Sequence, residues 1–277
     1  EQQLQDNISR NIMPSTTSPP PSLARPTIIL FGDSLTQMGY GDISTRPSPS
    51  IGWVSLLSSA YQRRVDVLNR GYSGYNTRHA IDIVPRIFGD NNSNTRPLFC
   101  TVFFGANDQA LPGERQHVPK DEYINNLIKI VTTIRQCYKK TTNNNSDDND
   151  DKDQDNNTNN AAHDDVPIII IGPPPIDQVT WKRELGLYNH FDRLNDVAHE
   201  YSLAAKHVAQ QLHCPFVDTW ELLSGHDINT YADHLSDGLH LSSSGNILLF
   251  EGLMNVIKTD LGQHLLPSKT DDSKQGI

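Results

Sequence analysis

The sequence predicts a doubly wound α/β domain, a parallel sheet covered by helices on both faces. Three observations predict it: short, nearly continuous apolar runs recur along the chain, stretches of helical periodicity lie between them, and small polar clusters follow the runs. Near-continuous apolar strands suit a sheet buried on both faces. Alternation of strands and helices implies right-handed crossovers between parallel strands.

Five runs read as strands: "TIILF" (27–31), "VDVLN" (65–69), "LFCTVFF" (98–104), "VPIIIIG" (166–172) and "PFVD" (215–218). Tyr123, Leu127, Ile130, Ile134 and Tyr138 make one helical stripe, and Leu194, Val197, Tyr201, Ala204, Val208 and Leu212 a second. Ile247, Leu248, Phe250, Met254 and Ile257 mark a last helix. The 277 residues suffice for one substantial domain with a buried core.

That domain is expected over residues 27–266. Residues 1–26, rich in Gln, Ser and Pro, read as a disordered tail, and residues 267–277 as a polar C-terminal tail. Residues 141–165, "TTNNNSDDNDDKDQDNNTNNAAHDD", read as a disordered insert interrupting the domain. Long surface insertions cost little closure entropy. No internal repeat is present.

The formal net charge is -10, and eight Asp against one Lys fall within residues 141–165. The remainder is only mildly acidic, with no basic face to neutralise phosphates, which argues against a nucleic-acid partner. Cys100, Cys137 and Cys214 are widely spaced and read as reduced thiols acting as small hydrophobes. They point to a reducing compartment, so a cytoplasmic location is expected. No stretch is apolar enough to span a membrane, and the N-terminus lacks the apolar core of a signal peptide. The sequence starts at Glu1 rather than Met, which leaves a removed presequence open. Sequons at Asn7, Asn91, Asn144 and Asn156 carry little weight, two of them falling in the Asn-rich tract.

In doubly wound sheets, ligands sit outside the carboxyl ends of the strands. "FGDSLTQMG" (31–39) follows the first strand, "NRGYSGYNTR" (69–78) the second and "FFGANDQ" (103–109) the third, and "SDGLH" (236–240) stands before the last helix. Taken singly, each reads as a turn or a helix cap: Asp33 or Ser34, Asn107 or Asp108, Asp237 or Ser242 are all ordinary capping residues. Four such clusters at one edge of one sheet also have a joint chemical reading.

A serine hydroxyl is a weak nucleophile and needs a general base within reach. His240 can be that base for Ser34, with Asp237 accepting the other ring N–H and fixing the tautomer. Acyl transfer also needs fixed donors for an oxyanion. Backbone N–H groups at Ser34 and Gly74 and the side-chain amide of Asn107 are candidates, and a residue without Cβ at position 74 lets its amide approach a substrate.

"GDSL", "GYSGYNTR", "GAND" and "DGLH" resemble, in order, the four motif blocks of the SGNH, or GDSL, hydrolase family. "NRGYSGYNTR", "FFGAND" followed by "HVPKDEY", "IIIIGPPPID" followed by Trp181, and "LSDGLHLSSSGN" are most similar to its isoamyl acetate-hydrolysing esterases. The resemblance runs roughly over residues 26–265, minus the insert. It implies a flavodoxin-like three-layer α/β/α sandwich with a five-stranded parallel sheet. It also implies Ser34 as nucleophile, Asp237 and His240 as its partners, and Ser34, Gly74 and Asn107 as the oxyanion hole. The acidic insert and long N-terminal tail depart from the family pattern but fall outside its blocks.

Other chemistries lack their signatures. There is no G-x-S-x-G elbow, P-loop or GxGxxG. The eleven His form no HExxH or similar pairing, so no metal and no cofactor is expected. His207 and His213, read as six apart on one helix, do not share a face, and His117, His199, His226 and His234 read as solvated or satisfied polar groups. Trp53, Trp181 and Trp220 read as packing groups, with Trp181 placed to line a pocket. Asp33 and Asp108 read as structural hydrogen bonders. The expected function is that of a metal-independent serine carboxylesterase acting on small esters, short-chain acetates preferred by resemblance. Alternatives on the same apparatus are an acyl-thioesterase or lysophospholipase and a carbohydrate O-deacetylase. The non-enzyme alternative is an idle scaffold binding partners through its acidic insert.

Overall fold

The computed structural model describes residues 24–41, 50–89, 96–139, 165–187, 189–225 and 230–267. The tail before residue 24, nearly all of the Asn/Asp-rich insert and the C-terminal residues from 268 lie outside the described residues.

Five parallel strands form the sheet: β1 (Thr27–Gly32), β2 (Asp66–Gly71), β3 (Phe99–Phe103), β4 (Ile168–Ile171) and β5 (Phe216–Val217). Their order is β2-β1-β3-β4-β5. Chain order reverses between β1 and β3, the kind of switch point outside whose carboxyl ends doubly wound sheets bind ligands. The register is continuous there, with Gly32 opposite both Gly71 and Phe103.

Side chains alternate across the sheet because successive Cβ atoms of a strand point to opposite faces. Ile28 and Leu30 bury on one face with Trp53 and Leu57 of α2 (Trp53–Ala60) and Leu249 and Leu253 of α8 (Ser243–Val256). Ile29 and Phe31 bury on the other, against α3 (Thr77–Phe88), α4 (Lys120–Cys137) and α6 (Asn195–Gln211). Short helices α1 (Ser34–Gln37), α5 (Gln178–Glu184) and α7 (Thr219–Ser224) complete a three-layer α/β/α fold. Each fully buried Leu or Ile contributes ~1.5–3 kcal/mol over leaving it in water.

The stripe expected on α4 is the buried one: Tyr123, Leu127, Ile130 and Ile134 face the sheet. Asp121 and Glu122 in its first turn and Arg135 in its last complement the helix dipole. On α6, Tyr201, Ala204 and Val208 are buried as expected, while Leu194 and Leu212 flank the helix as its caps. His213 also lies past the end of α6, with φ 51°, so it does not share a helix with His207.

The last helix, α8, forms where expected, with Phe250 and Met254 packed against the core and Ile257 buried just past its end. Its buried residues include Asn246, Leu249 and Leu253, and Ile247 is 36% exposed. Asn246 is satisfied in its buried position: its Oδ1 accepts from the Trp53 backbone N–H at 3.0 Å, and its Nδ2 donates to the Leu241 and Ser242 carbonyls. Trp53 is fully buried, and its Nε1 donates to the Leu35 carbonyl, bracing the turn after β1.

Candidate active site

Three loops leave the carboxyl ends of β2, β1 and β3, and the loop before α8 meets them. The β1 loop turns at once. A Cβ at Gly32 would lie 2.1 Å from Thr36 Oγ1 and 2.6 Å from the Phe103 carbonyl oxygen, so close packing requires glycine there. Asp33 Oδ1 accepts from the Leu35 N–H at 2.9 Å and caps α1, whose first residue is Ser34. Ser34 is 4% exposed.

The loop before α8 is closed by an antiparallel bridge between Leu235 and Leu241, and the Ser236 N–H donates to the His240 carbonyl at 2.7 Å. Within it, Asp237 Oδ1 accepts from the Leu239 and His240 N–H groups at 3.0 and 2.7 Å. Asp237 Oδ2 lies 2.7 Å from His240 Nδ1, and His240 Nε2 lies 2.9 Å from Ser34 Oγ. Burial works to raise the Asp237 pKa, but the His240 hydrogen bond and charge and the two backbone donors outweigh it, and the carboxyl falls below its usual range. An ionised carboxylate only accepts, so Nδ1 carries the imidazole proton and Nε2 is left to accept from the Ser34 hydroxyl. The ring of Trp181 stands near-perpendicular to that of His240, with centroids 5.9 Å apart.

Gly74 and Asn107 lie on the neighbouring loops, after β2 and after β3. Gly74 has φ +79°, a left-handed conformation that favours glycine, while a Cβ there would meet only Gln116 Nε2, at 3.7 Å. Backbone conformation, rather than crowding by the protein, therefore selects glycine at this position. Among the described residues no backbone acceptor takes the Ser34 or Gly74 N–H. Asn107 Nδ2 donates one hydrogen to the Tyr75 carbonyl at 2.8 Å and retains a second.

Asp33 and Asp108 are fully buried beneath the site. Asp108 Oδ1 accepts from the Thr77 N–H at 2.9 Å, so both aspartates make structural hydrogen bonds. Burial pushes Asp33 up to about 7, against the Leu35 hydrogen bond and with the Asp108 charge adding to the rise. Burial likewise pushes Asp108 up to about 6, opposed by its hydrogen bonds to Thr77. Among the described residues no cluster of three or more His, Cys, Asp or Glu has a metal-binding arrangement. His117 Nδ1 pairs with the Ala110 carbonyl, His234 Nδ1 with Ser244 Oγ, and His199 stacks on Trp220; His226 lies outside the described residues. No described helix is long and apolar enough to cross a membrane.

Residues 30–247 match the model of the GDSL-like lipase/acylhydrolase family. The chain belongs to that family. An isoamyl acetate-hydrolyzing esterase 1 homolog of Mus musculus is 37% identical over 239 residues, spanning 85% of this chain and 83% of the relative. Among solved structures, a lipase/acylhydrolase from Enterococcus faecalis aligns with a TM-score of 0.59 at 22% identity, over 88% of this chain and all of that one. An acetylxylan esterase from Geobacillus stearothermophilus aligns at 0.53 and 21% identity, over 87% of this chain and 98% of that one. At these identities, the structural likeness speaks for the fold.

The site of this GDSL-family chain holds more than its motif blocks. Gln116 Nε2 donates to Asn107 Oδ1 at 2.9 Å and to the Gly74 carbonyl at 3.0 Å. Arg193, 2% exposed, reaches Gln116 Oε1 at 2.6 Å, pairs with Asp192, and donates through Nε to the Ala106 carbonyl at 3.0 Å. Sequence reasoning passed over all three. Gln116 stands in a loop with no periodic pattern, and Asp192 and Arg193 fall in no motif block. An Asp beside an Arg was the available signal, but adjacency alone does not distinguish a buried pair from a surface one.

Proposed function

We propose that this protein is a metal-independent serine esterase that hydrolyses small carboxylic esters, short-chain acetates first among them, through an acyl-Ser34 intermediate. The observation that carries the reading is the continuous chain from Ser34 Oγ to His240 Nε2 at 2.9 Å and from His240 Nδ1 to Asp237 Oδ2 at 2.7 Å. The relatives named for isoamyl acetate hydrolysis support acetate esters as the substrate class.

In the first half-reaction, His240 Nε2 takes the hydroxyl proton as Ser34 Oγ attacks the ester carbonyl carbon. The carbonyl π pair moves onto oxygen. The resulting oxyanion is met by the Ser34 and Gly74 N–H groups and the free Asn107 Nδ2–H. Collapse of the tetrahedral intermediate breaks the bond to the alkoxy oxygen, which leaves as the alcohol with the proton from His240. Water then attacks the acyl-serine, giving its proton to His240. The second collapse releases the carboxylic acid and returns a proton to Ser34. Asp237 stays ionised throughout, holding the ring and offsetting the imidazolium charge. The chain supplies nucleophile, base and oxyanion donors itself, so this scheme calls on no metal. The free thiols Cys100, Cys137 and Cys214 support a reducing compartment such as the cytoplasm.

The test is a panel of chromogenic esters from acetate to long acyl chains, with a thioester, a lysophospholipid and an acetylated sugar beside them, assayed in the presence of chelator. Fastest turnover on the acetates supports the reading. Turnover confined to thioester, phospholipid or sugar acetate would reassign the substrate, and inactivity throughout in folded protein would favour a binding scaffold.

A further inference from the structure

We infer that Gln116, oriented by Arg193, is a positioning residue of the oxyanion hole: its one side-chain amide holds Asn107 and Gly74 in a single unit. The inference rests on the esterase reading above and assigns a role that none of the motif blocks covers.

The direction of every bond in this network follows from Arg193. A guanidinium donates and cannot accept. It faces Gln116 at 2.6 Å, so the Gln116 group there is the oxygen, and the Gln116 NH2 must lie on the opposite side. That NH2 meets two acceptors, Asn107 Oδ1 at 2.9 Å and the Gly74 carbonyl at 3.0 Å. Arg193 Nη2 also approaches Asn107 Oδ1, at 3.4 Å. With its oxygen occupied from that side, the Asn107 amide cannot flip. Its Nδ2 is then presented on the other side, one hydrogen on the Tyr75 carbonyl and one remaining for an oxyanion.

Both ends of this unit are fixed. Arg193 is buried, paired with Asp192 and bonded to the carbonyl of Ala106, the residue just before Asn107. At the other end, Asn76 Nδ2 donates to the Gln116 carbonyl at 3.0 Å, tying the Gln116 backbone to the start of α3. Hydrogen bonds in series polarise one another in a poorly hydrated site. A positive charge at one end therefore strengthens the donor at the other, Asn107 Nδ2, where negative charge develops in the transition state. The gain is specific to the transition state, so it belongs in kcat rather than KM.

The alternative is that Gln116 merely satisfies polar groups in a loop, and the test separates the two. Hydrolysis of a chromogenic acetate by the full chain, and its loss in Ser34→Ala, establish the reaction first. Gln116→Met then keeps the side-chain length and removes both donors. Gln116→Glu keeps an acceptor for Arg193, and with it the fold, while turning acceptor against acceptor at Asn107 and Gly74. The expected result is a kcat lower by ~10–100-fold in both variants, KM within about two-fold, and the larger loss in Gln116→Glu. Each variant is also combined with Asn107→Ala. There its cost should shrink to under about three-fold, since residues acting as one unit are non-additive. Wild-type kcat in either folded variant, or losses that simply multiply with that of Asn107→Ala, would overturn the inference while leaving the esterase reading intact. Failure of the Ser34→Ala control would remove the reading itself.

Discussion

Asp108 Oδ1 accepts from both the backbone N–H and the hydroxyl of Thr77, at 2.9 and 2.5 Å. The bond pair clamps the loop that carries Asn107 onto the first turn of the helix that begins just past Gly74. Asn126 Nδ2 donates to the same Thr77 hydroxyl at 3.0 Å and brings α4 into the clamp. Two oxyanion-hole candidates from different strand ends are thus held at a fixed separation before any substrate arrives, which is the preorganisation that oxyanion stabilisation needs.

The clamp carries a pH signature. Burial raises Asp108 from 3.8 to about 6 in the folded protein. Between those values the folded state holds a proton that the unfolded chain has released, so stability falls as pH rises through about 4 to 6. Asp108→Asn keeps an acceptor for Thr77 but cannot ionise. Its stability relative to wild type should therefore increase across that window, by about 1–3 kcal/mol at ~1.4 kcal/mol per unit. Urea midpoints of both proteins at pH 4 and pH 7.5 read the difference, and a relative stability that stays flat or falls would contradict it. Asp33, raised to about 7, should show the same sign up to that pH.

Asn107→Ala removes the side-chain donor proposed for the oxyanion hole. Turnover should fall by ~10²–10³-fold with little change in KM, because the bond strengthens only as charge develops. Steady-state kinetics on a small acetate give both constants. A raised KM at constant kcat would make Asn107 a ground-state binder.

His240 and Asp237 should not be equivalent. His240→Ala removes the proposed proton acceptor and should approach the loss seen on removing Ser34. Asp237→Ala leaves an imidazole able at times to adopt the required tautomer, so more activity persists. The double variant should cost little beyond His240→Ala alone. A silent Asp237→Ala would reduce the Asp–His contact at 2.7 Å to the geometry of a polar turn.

The Asn/Asp-rich segment joins the end of α4 to the start of β4, and β4 begins at the amino edge of the sheet, whereas the candidate site lies beyond the carboxyl ends. Replacing residues 142–164 by a short Gly/Ser loop should leave the thermal midpoint within a few degrees and kcat/KM on a small ester within about two-fold. A well-folded deletion that loses turnover would give the segment a part in catalysis.

The strands and the motif loops were legible because their signals are local. A run such as "IIII" has few other fates, and Gly, Asp, Ser and Asn directly after such runs mark the edge where sites lie. The burial of Asn246 on α8 was not legible, because its partner, the Trp53 backbone N–H at 3.0 Å, is far away in sequence. Gln116 and Arg193 escaped for the same reason. Their partners come from three separate loops, and a buried arginine looks in sequence like a solvated one. What sequence reasoning could not see is the scaffolding around the motif residues, which exists only once the chain has folded.

The central claim is that Ser34 is an activated nucleophile, and covalent labelling tests it most directly. The folded protein is treated with a fluorophosphonate, and the site and stoichiometry of the adduct are read by peptide mass spectrometry alongside residual hydrolysis. One adduct per chain on the Ser34 peptide, appearing in step with loss of activity and absent in Ser34→Ala, is the predicted result. An adduct on another residue that tracks the loss of activity, or undiminished hydrolysis in a folded Ser34→Ala variant, would contradict it.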